Sequence, residues 1–217
     1  MTAQGRVGII VTDIQGDFTT YHEGSLAVPD TDALYVVRVN QATKEFYDAG
    51  FPVFATQDWH TENHVSFYTN HPDAEPFQDI TLPDGRTQTL WPPHCVHDSP
   101  GADLLLDSDN VTYNIHKATD PDYESYSAFA DEKGTSTGLD ALLRKEGITT
   151  VVIYGLATDR CVKSTALDAI KAGYRVVVIK ELCRGIKPES TEAALKEMKD
   201  RGVQIMEVYS LDKFKAR

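Results

Sequence analysis

An apolar strand that turns directly into a cysteine-bearing helix is the feature that most constrains the fold. Val151, Val152 and Ile153 form the strand, which stops at Gly155, and a helix is predicted to begin near Asp159 with Cys161 in its first turn. In open α/β folds such a corner lies at the carboxyl edge of the sheet, where ligands bind. The positive end of the helix favours a thiolate. Cys161 is therefore a candidate nucleophile, with a small buried apolar residue as the alternative.

The charge and cysteine content exclude several classes of partner and location. The 217 residues carry 21 Lys and Arg against 33 Asp and Glu, a net charge of −12. Nucleic acids and anionic membranes bind basic surfaces, so we expect neither as a partner. Cys95, Cys161 and Cys183 show no disulfide-framework spacing, which indicates a reducing compartment. The N-terminal sequence does not resemble a signal peptide, and no apolar run is long enough to cross a membrane. We therefore predict a cytoplasmic protein.

Strand and helix patterns alternate along the chain. Short links between them predict a single domain spanning residues 1–217, a three-layer α/β/α sandwich with a mostly parallel central sheet. Neither a Gly-rich dinucleotide fingerprint nor a P-loop is present. The first helix is expected to be capped by Asp30 or Thr31. Strands are predicted at 8–13, 51–56, 111–116, 151–154, 175–179 and 203–208, and helices from the cap to 49 and at 137–146, 159–172 and 188–201.

Reactive side chains stand at the ends of successive predicted strands. Asp13, Asp58 and Lys117 each follow or end a strand, as the Cys161 corner does. The carboxyl ends of parallel strands share one edge of a sheet, so these groups are expected to meet. A carboxylate can accept the proton of a cysteine, and a lysine stabilises both anions. The pattern predicts a nucleophilic site, although solvation alone also places polar residues at strand ends.

Histidines are concentrated in one irregular part of the chain. Five of the seven lie between positions 60 and 97. Asp58 and His60 are two residues apart and face the same side of an extended segment, and His64 and His94 can complete a site from the loop. These ligand types suit zinc, iron or manganese. The alternative is a loop of solvent-exposed or hydrogen-bonded histidines.

Aromatic side chains follow several of the same strand ends. Phe18, Trp91 and Tyr126 lie in segments that come after predicted strands. Each could simply pack its loop. Together with a metal they could line a pocket for a small planar ring.

Several sequence blocks stand in an order that resembles a known family. The resemblance is to the nicotinamidases, also called pyrazinamidases, of the isochorismatase-like cysteine hydrolase superfamily, and it covers nearly the whole chain from Val7 to the last strand. The most specific block is Gly155 to Val162. The other blocks are Asp13-Ile14-Gln15-Gly16-Asp17-Phe18 with Gly24-Ser25-Leu26, Asp58-Trp59-His60 with His64, Trp91-Pro92-Pro93-His94-Cys95-Val96, and Lys117 with Tyr126-Ser127-Ala128-Phe129.

The resemblance implies a role for each of these residues. It implies Cys161 as the nucleophile, Asp13 as its base and Lys117 as their electrostatic partner. It also implies an oxyanion hole formed by the N–H groups of Ala157 and Cys161, with a cis peptide before Ala157. The remaining roles follow in the same way: Phe18, Trp91 and Tyr126 line the ring pocket, and Asp58, His60, His64 and His94 hold one divalent metal, zinc first, with iron or manganese as alternatives.

The implied activity is hydrolysis of nicotinamide to nicotinate and ammonia through a cysteine thioester, in NAD salvage, with pyrazinamide as a further candidate substrate. The chain departs from the family pattern at His97-Asp98-Ser99, where Gln-Gly-Thr is common, and at Thr61, where proline is frequent. His97 and His71 are therefore alternative ligands. The rival functions are hydrolysis of isochorismate, a carbamoyl amine or a ureide, and non-catalytic metal binding or redox sensing. Whether the chain forms a homo-oligomer is left open.

Overall fold

The computed structural model describes residues 5–215, which form a central six-stranded sheet, a small hairpin and four α-helices. The predicted domain bounds of 1–217 thus include residues 1–4 and 216–217, which lie outside the described range. The sheet order is β5-β2-β1-β6-β7-β8, and every neighbouring pair is parallel. The strands are β1 (Arg6–Thr12), β2 (Val53–Asp58), β3 (Asp79–Thr81), β4 (Thr87–Thr89), β5 (Tyr113–Lys117), β6 (Ile148–Leu156), β7 (Arg175–Arg184) and β8 (Gln204–Met206).

Helices cover both faces of this sheet. Right-handed crossovers place the helix between β1 and β2 on one face and the helices that follow β5 on the other. The strands between them are apolar and buried on both sides, as Ile9, Ile10 and Val11 illustrate. This confirms the predicted three-layer α/β/α fold. None of the helices within residues 5–215 has the length and apolar character needed to span a membrane. They are α1 (Ala33–Asp48), α2 (Leu139–Lys145), α3 (Lys163–Lys171) and α4 (Pro188–Asp200).

The strand order creates a crevice between β1 and β6. From β1 the chain adds β2 and then β5 on one side, and it returns to add β6, β7 and β8 on the other. In open α/β sheets the crevice at such a reversal, beyond the carboxyl ends of the strands, is where ligands bind. The residues that follow β1 and β6 therefore face each other across the most favourable position for a site.

The start of α1 differs from the sequence prediction. Asp32 caps this helix, and its carboxylate accepts a hydrogen bond from the Tyr35 N–H at 3.0 Å. The predicted caps, Asp30 and Thr31, were wrong. The Thr31 hydroxyl instead donates to the Val28 carbonyl at 2.5 Å, so its oxygen is engaged in the preceding loop.

Two further elements differ from their predicted extent. β7 continues to Arg184, well beyond its predicted end at residue 179, because Cys183 and Arg184 pair with the last residues of β6. The polar residues Lys180 and Glu181 interrupt the apolar pattern there, so the sequence does not indicate that the strand continues. The loop between β2 and β5 was predicted to be irregular, but it contains the antiparallel hairpin of β3 and β4.

Gly155 generates a prediction about the stability of this sheet. Its φ is +127°, and a Cβ at this position would overlap the Thr12 carbonyl oxygen of β1. We expect Gly155→Ala to lower the free energy of unfolding by about 2–5 kcal/mol, since backbone strain and a clash with a rigid strand add together. Urea denaturation measures the loss.

Gly173→Ala is the matched control for this substitution. Gly173 also has a positive φ, of +92°, but no atom lies within 4 Å of the position that its Cβ would take. We expect a loss of about 1–2 kcal/mol from the backbone conformation alone. Equal losses for the two variants would contradict the proposed close approach of β1 and β6.

Candidate active site

Lys117, the last residue of β5, places its ammonium group between two carboxylates and a thiol. Its Nζ lies 3.1 Å from Asp13 Oδ2 and 3.5 Å from Cys161 Sγ, and it forms a close ion pair with Asp58 Oδ1. A further hydrogen bond at 3.0 Å reaches the Ser125 carbonyl. Burial alone would lower the pKa of Lys117, but the two carboxylates raise it well above its usual value. Lys117 is therefore a buried cation, and the four side chains that meet here are called the Lys117 cluster below.

Asp13 follows β1 and has one carboxylate oxygen without a hydrogen-bond donor. The Thr56 hydroxyl donates to Oδ1 at 2.5 Å, whereas Oδ2 accepts no hydrogen bond from the described residues. The Cys161 sulfur lies within 4.8 Å of this carboxylate. Burial raises the pKa of Asp13 to about 6, against the opposing effect of Lys117 and with a further rise from Asp58. Asp13 is thus a carboxylate at neutral pH that can accept a proton.

Cys161 lies in a wide helical turn that the sequence did not predict. Residues Thr158–Val162 form a π-helical turn, and α3 begins only at Lys163. The predicted α-helix from Asp159 was therefore wrong over its first turn. Burial raises the pKa of the Cys161 thiol well above its usual value, and Lys117 offsets only part of that rise. The helix end does not by itself produce a thiolate, so the thiol needs a base.

The segment that leads into this turn leaves one backbone donor free. The peptide bond between Leu156 and Ala157 is cis, as the resemblance implies. The Ala157 carbonyl accepts hydrogen bonds from the N–H groups of Arg160 and Val162, at 3.0 and 3.2 Å. No acceptor in residues 5–215 takes a hydrogen bond from the Ala157 N–H. Ala157 and Cys161 line the same cavity.

Asp159 fixes the same turn to the start of α4. Its buried carboxylate accepts a hydrogen bond from the Ile186 N–H at 3.0 Å and another from the Ser190 hydroxyl. Ile186 also lines the cavity that contains Cys161. The nucleophile turn and one wall of the cavity are therefore held together by a single side chain.

Asp58, His60 and His94 form a buried group suited to a metal ion. One ligand atom from each lies within 4.8 Å of the others. His60 is fully buried, yet neither of its ring nitrogens has a hydrogen-bond partner among the described residues. His94 Nδ1 lies 2.7 Å from the Pro92 carbonyl, which can only accept a hydrogen bond; the neutral ring therefore carries its proton on Nδ1, and Nε2 keeps a free lone pair. A buried imidazole without a partner, beside a carboxylate and a second imidazole, fits a divalent cation.

The protonation state of His94 also suits ligation. Burial, and then repulsion by His60, lowers the pKa of His94 to about 4. The ring is consequently neutral at physiological pH, as a metal ligand must be. The pKa of His64 is lowered to about 4 for the same two reasons.

His64 lies outside the group formed by Asp58, His60 and His94. It belongs instead to a second group, with His60 and Glu124. Its Nδ1 lies 2.8 Å from the Ser66 hydroxyl and its Nε2 lies 3.3 Å from the Tyr123 carbonyl, so both ring nitrogens have protein partners. The structure therefore does not bring all four predicted ligands into one group.

The two alternative histidine ligands are engaged elsewhere. His71 Nε2 lies 2.7 Å from the Val65 carbonyl. His97 is largely exposed and lies 3.0 Å from the carboxylate of Asp98. Neither histidine joins a group of metal-ligating atoms within the described chain.

Glu124 is a buried residue of the site that the sequence analysis missed. Its Oε1 lies 3.7 Å from His60 Nε2 and accepts a hydrogen bond from the Ser125 N–H at 2.8 Å. Asp120 and Asp122 precede it in the same loop, and neither is buried. Because the loop has no periodicity, nothing in the sequence separates the buried acid from its solvated neighbours.

The three predicted pocket residues line one narrow cavity that also contains Cys161. Phe18, Trp91 and Tyr126 form its aromatic walls, and the Trp91 indole N–H donates to the Tyr126 hydroxyl at 3.1 Å. The cavity encloses about 40 Å³. Leu26, which belongs to one of the family-like sequence blocks, also lines the cavity; the lining residues that the sequence analysis did not assign to the pocket are Val28, Glu124, Arg160 and Ile186.

A wider cavity of about 850 Å³ opens at the opposite edge of the sheet, but its lining contains no cysteine, histidine or carboxylate.

Comparison with known proteins places this site in a family. The family model for the isochorismatase domain matches residues 7–210. The chain belongs to this family. It is 41% identical to the nicotinamidase of Escherichia coli over 202 residues, which cover 91% of this chain and 92% of that relative.

Solved structures of isochorismatase-family members share the fold. A nicotinamidase/pyrazinamidase of Acinetobacter baumanii superimposes with a TM-score of 0.83 at 36% identity, covering 94% of this chain and 97% of the other. The pyrazinamidase of Pyrococcus horikoshii in complex with zinc gives a TM-score of 0.77 at 39% identity, with 93% and 98% covered. Both proteins are similar to this chain over nearly its whole length.

The metal-suited group generates a prediction about zinc binding. We expect the unaltered protein to bind one zinc ion per chain, and His60→Ala or His94→Ala to weaken that binding by at least about a hundredfold, since each removes a ligand imidazole. Titration against a fluorescent chelator measures the affinity. His71→Ala is the matched control and should bind zinc as the parent does. Parent-like affinity in the His60 and His94 variants would exclude this group as the metal site.

Proposed function

We propose that the Lys117 cluster is the catalytic centre of a nicotinamidase, with Asp13, Lys117 and Cys161 as its catalytic residues. The chain is an amidohydrolase that converts nicotinamide to nicotinate and ammonia, a step of NAD salvage; its isochorismatase domain and its similarity to nicotinamidases support this activity. The observation that carries the catalytic assignment is the buried ammonium of Lys117 at the end of an aromatic cavity. It lies beside the Cys161 thiol and pairs with an Asp13 carboxylate oxygen that accepts no hydrogen bond within residues 5–215.

The reaction begins with a proton transfer inside the cluster. Asp13 Oδ2 accepts the proton of the Cys161 thiol, and the thiolate attacks the carboxamide carbon of the substrate. The transfer moves a negative charge from one side of Lys117 to the other without changing the net charge of the cluster. The Lys117 ammonium, 3.5 Å from the sulfur, stabilises the thiolate as it forms.

Backbone donors stabilise the tetrahedral intermediate. The N–H groups of Ala157 and Cys161 donate to the oxygen that becomes negatively charged. Asp13 returns its proton to the amide nitrogen, the C–N bond breaks, and ammonia leaves. The acyl group remains bonded to the Cys161 sulfur as a thioester.

Hydrolysis of the thioester uses the same carboxylate. Asp13 accepts a proton from water, the resulting hydroxide equivalent attacks the thioester carbon, and the bond to Cys161 Sγ breaks. The released acid loses its remaining proton to solvent and leaves as nicotinate. The sulfur then regains a proton from Asp13. A group that alternates between acceptor and donor works best with a pKa near the working pH, and the pKa of Asp13, about 6, meets that requirement.

Asp58, His60 and His94 would hold one divalent metal ion, for which we propose zinc. When bound, such an ion supplies a Lewis-acid centre that a pyridine nitrogen can ligate. The aromatic walls formed by Phe18 and Trp91 suit a planar ring. This combination favours a pyridine amide, with pyrazinamide as a second substrate, over isochorismate, a carbamoyl amine or a ureide. We infer a cytoplasmic enzyme, since the three cysteines are all unpaired.

Substitution of the nucleophile tests the proposed function. We expect Cys161→Ala to reduce ammonia release from nicotinamide by at least about a thousandfold, because the only covalent centre is removed. Cys95→Ala and Cys183→Ala are the matched controls; both remove a buried thiol and should remain within about tenfold of the parent, a change in barrier of about 1.4 kcal/mol. Substantial turnover by the Cys161 variant would refute the thioester mechanism.

The raised pKa of Asp13 predicts the acid side of the pH–rate profile. Below about pH 6 Asp13 is protonated and cannot accept the thiol proton, so kcat/KM should fall as pH decreases through that value. The Thr56 hydroxyl stabilises the carboxylate and lowers its pKa. Thr56→Val should therefore move the acid limb to higher pH, by about one unit.

Thr43→Val is the control for this shift. Its buried hydroxyl bonds to the Val39 carbonyl and to the Tyr154 hydroxyl, not to Asp13. The profile of this variant should match that of the parent. An acid limb that stays in place in Thr56→Val would show that Asp13 is not the group whose protonation controls the rate.

A further inference from the structure

Arg160 occupies the rim of the substrate cavity, directly before the nucleophile in the chain. Its guanidinium carbon lies 5.2 Å from the ring centroid of Trp91 and 5.9 Å from that of Tyr126. The side chain is exposed, yet it is among the residues that line the cavity with Cys161. Stacking over two aromatic walls therefore holds a cation where a ligand enters and leaves.

This cation has no acidic partner in the described part of the chain. No carboxylate among residues 5–215 lies within 4.0 Å of the Arg160 guanidinium, and none of its N–H groups donates to a protein acceptor there. Four other described arginines form ion pairs, namely Arg6, Arg38, Arg86 and Arg144, whereas Arg175, Arg184 and Arg201 do not; Arg160 differs from these three in lining the cavity. In a chain with a net charge of −12, an unpaired guanidinium at a cavity rim is available to an anion.

The other charges of the cavity have the opposite sign or are already neutralised. Asp58 and Glu124 line it as acids. The buried cation nearby, Lys117, is shared between Asp13 and Asp58. The divalent ion proposed at Asp58, His60 and His94 would balance the remaining interior acids, and among the lining side chains within residues 5–215 only Arg160 offers an uncommitted positive charge.

The proposed reaction converts a neutral ligand into an anion inside this cavity. Nicotinamide is uncharged, whereas nicotinate carries a carboxylate on the same ring. The two differ in the group that lies against Cys161, in the cavity that Arg160 also lines. A positive charge at the rim therefore acts on product and substrate differently.

We propose that Arg160 is a specificity-determining residue that strengthens the binding of aromatic carboxylates, the product nicotinate among them, relative to neutral amides. The proposal rests on the proposed function for the identity of the product. The positive charge of Arg160 would therefore strengthen inhibition of the enzyme by its product. The alternative is that the arginine stem merely covers Trp91 and stiffens the cavity wall.

Charge and packing are separated by two variants. Arg160→Met keeps an unbranched stem over Trp91 and removes the charge, whereas Arg160→Lys keeps the charge and loses the planar stacking group. The parent and both variants are each loaded with zinc. They are compared by the ratio of the nicotinate inhibition constant to the nicotinamide KM. A loosened wall weakens both ligands together, since they share a ring, so the ratio reports the charge.

We expect Arg160→Met to raise this ratio by roughly fivefold at low salt, the effect of one charge at several ångströms in a partly hydrated site. Arg160→Lys should keep the ratio within about twofold of the parent. The difference in this ratio between the parent and Arg160→Met should shrink when the ionic strength rises to about 0.5 M, because salt at that concentration screens exposed charges. An unchanged ratio in Arg160→Met, or an equal rise in both variants, would overturn the proposal.

Direct binding keeps this test separate from the proposed function. In a Cys161→Ala background, calorimetry measures the dissociation constants of nicotinate and nicotinamide without turnover. The same ratio and the same fold-change are expected when Arg160→Met is added. Failure of the proposed function would appear as no ammonia release from the unaltered protein, whereas failure of this proposal would appear as an unchanged ratio of the two dissociation constants.

Discussion

The buried ammonium of Lys117 is the interaction on which the rest of the site depends. Removing such an ion from water costs several kcal/mol, and the cost is offset only where anions surround it closely. Asp13 and Asp58 provide those anions from the ends of β1 and β2, and Cys161 approaches from the turn after β6. The parallel register that places Asp58 opposite Lys117 is therefore also a condition for charge balance. A shift of one strand would leave a charge buried without a partner, so fold and site are specified together.

Asp58 connects this cluster to the residues suited to a metal. One of its carboxylate oxygens pairs with Lys117, and the same side chain belongs to the group with His60 and His94. Gln15 holds the backbone of Asp58 in place through two hydrogen bonds. The side-chain carbonyl of Gln15 accepts a hydrogen bond from the Asp58 N–H, and its side-chain amide donates one to the Asp58 carbonyl. The Lys117 cluster and the metal-suited group thus share one rigidly held carboxylate. A change in charge in either group therefore alters the electrostatic potential in the other.

The parts of the site that the sequence predicts are those that strand periodicity places. Asp13 and Lys117 could be assigned to one edge because each follows or ends a predicted strand, and parallel strands end together. Glu124 and Arg160 have no such signal, since their burial or exposure is decided by loops packed around them. The turn at Thr158–Val162 was predicted from Asp159 onward as part of an ordinary α-helix, because a helix follows the strand at this corner. The wider turn depends on tertiary contacts, such as that of Asp159 with Ile186, which sequence periodicity does not display.

The distribution of charge within the cavity explains why a neutral amide suits it as a substrate. Toward the interior, two carboxylates share one ammonium and Glu124 adds a further acid, and the divalent ion proposed at Asp58, His60 and His94 would balance these charges, so no net positive charge there attracts an anion. Burial keeps the proton on Cys161 until Asp13 accepts it, and the thiolate then forms beside Lys117 without any change in the total charge. Hydrolysis converts the carboxamide of the ligand into a carboxylate. This carboxylate lies in the cavity between the interior acids and Arg160 at the rim. The charges that make the nucleophile are thus balanced among themselves, and Arg160, which lines the cavity without an acidic partner in residues 5–215, is the side chain that we propose determines how strongly the product is retained.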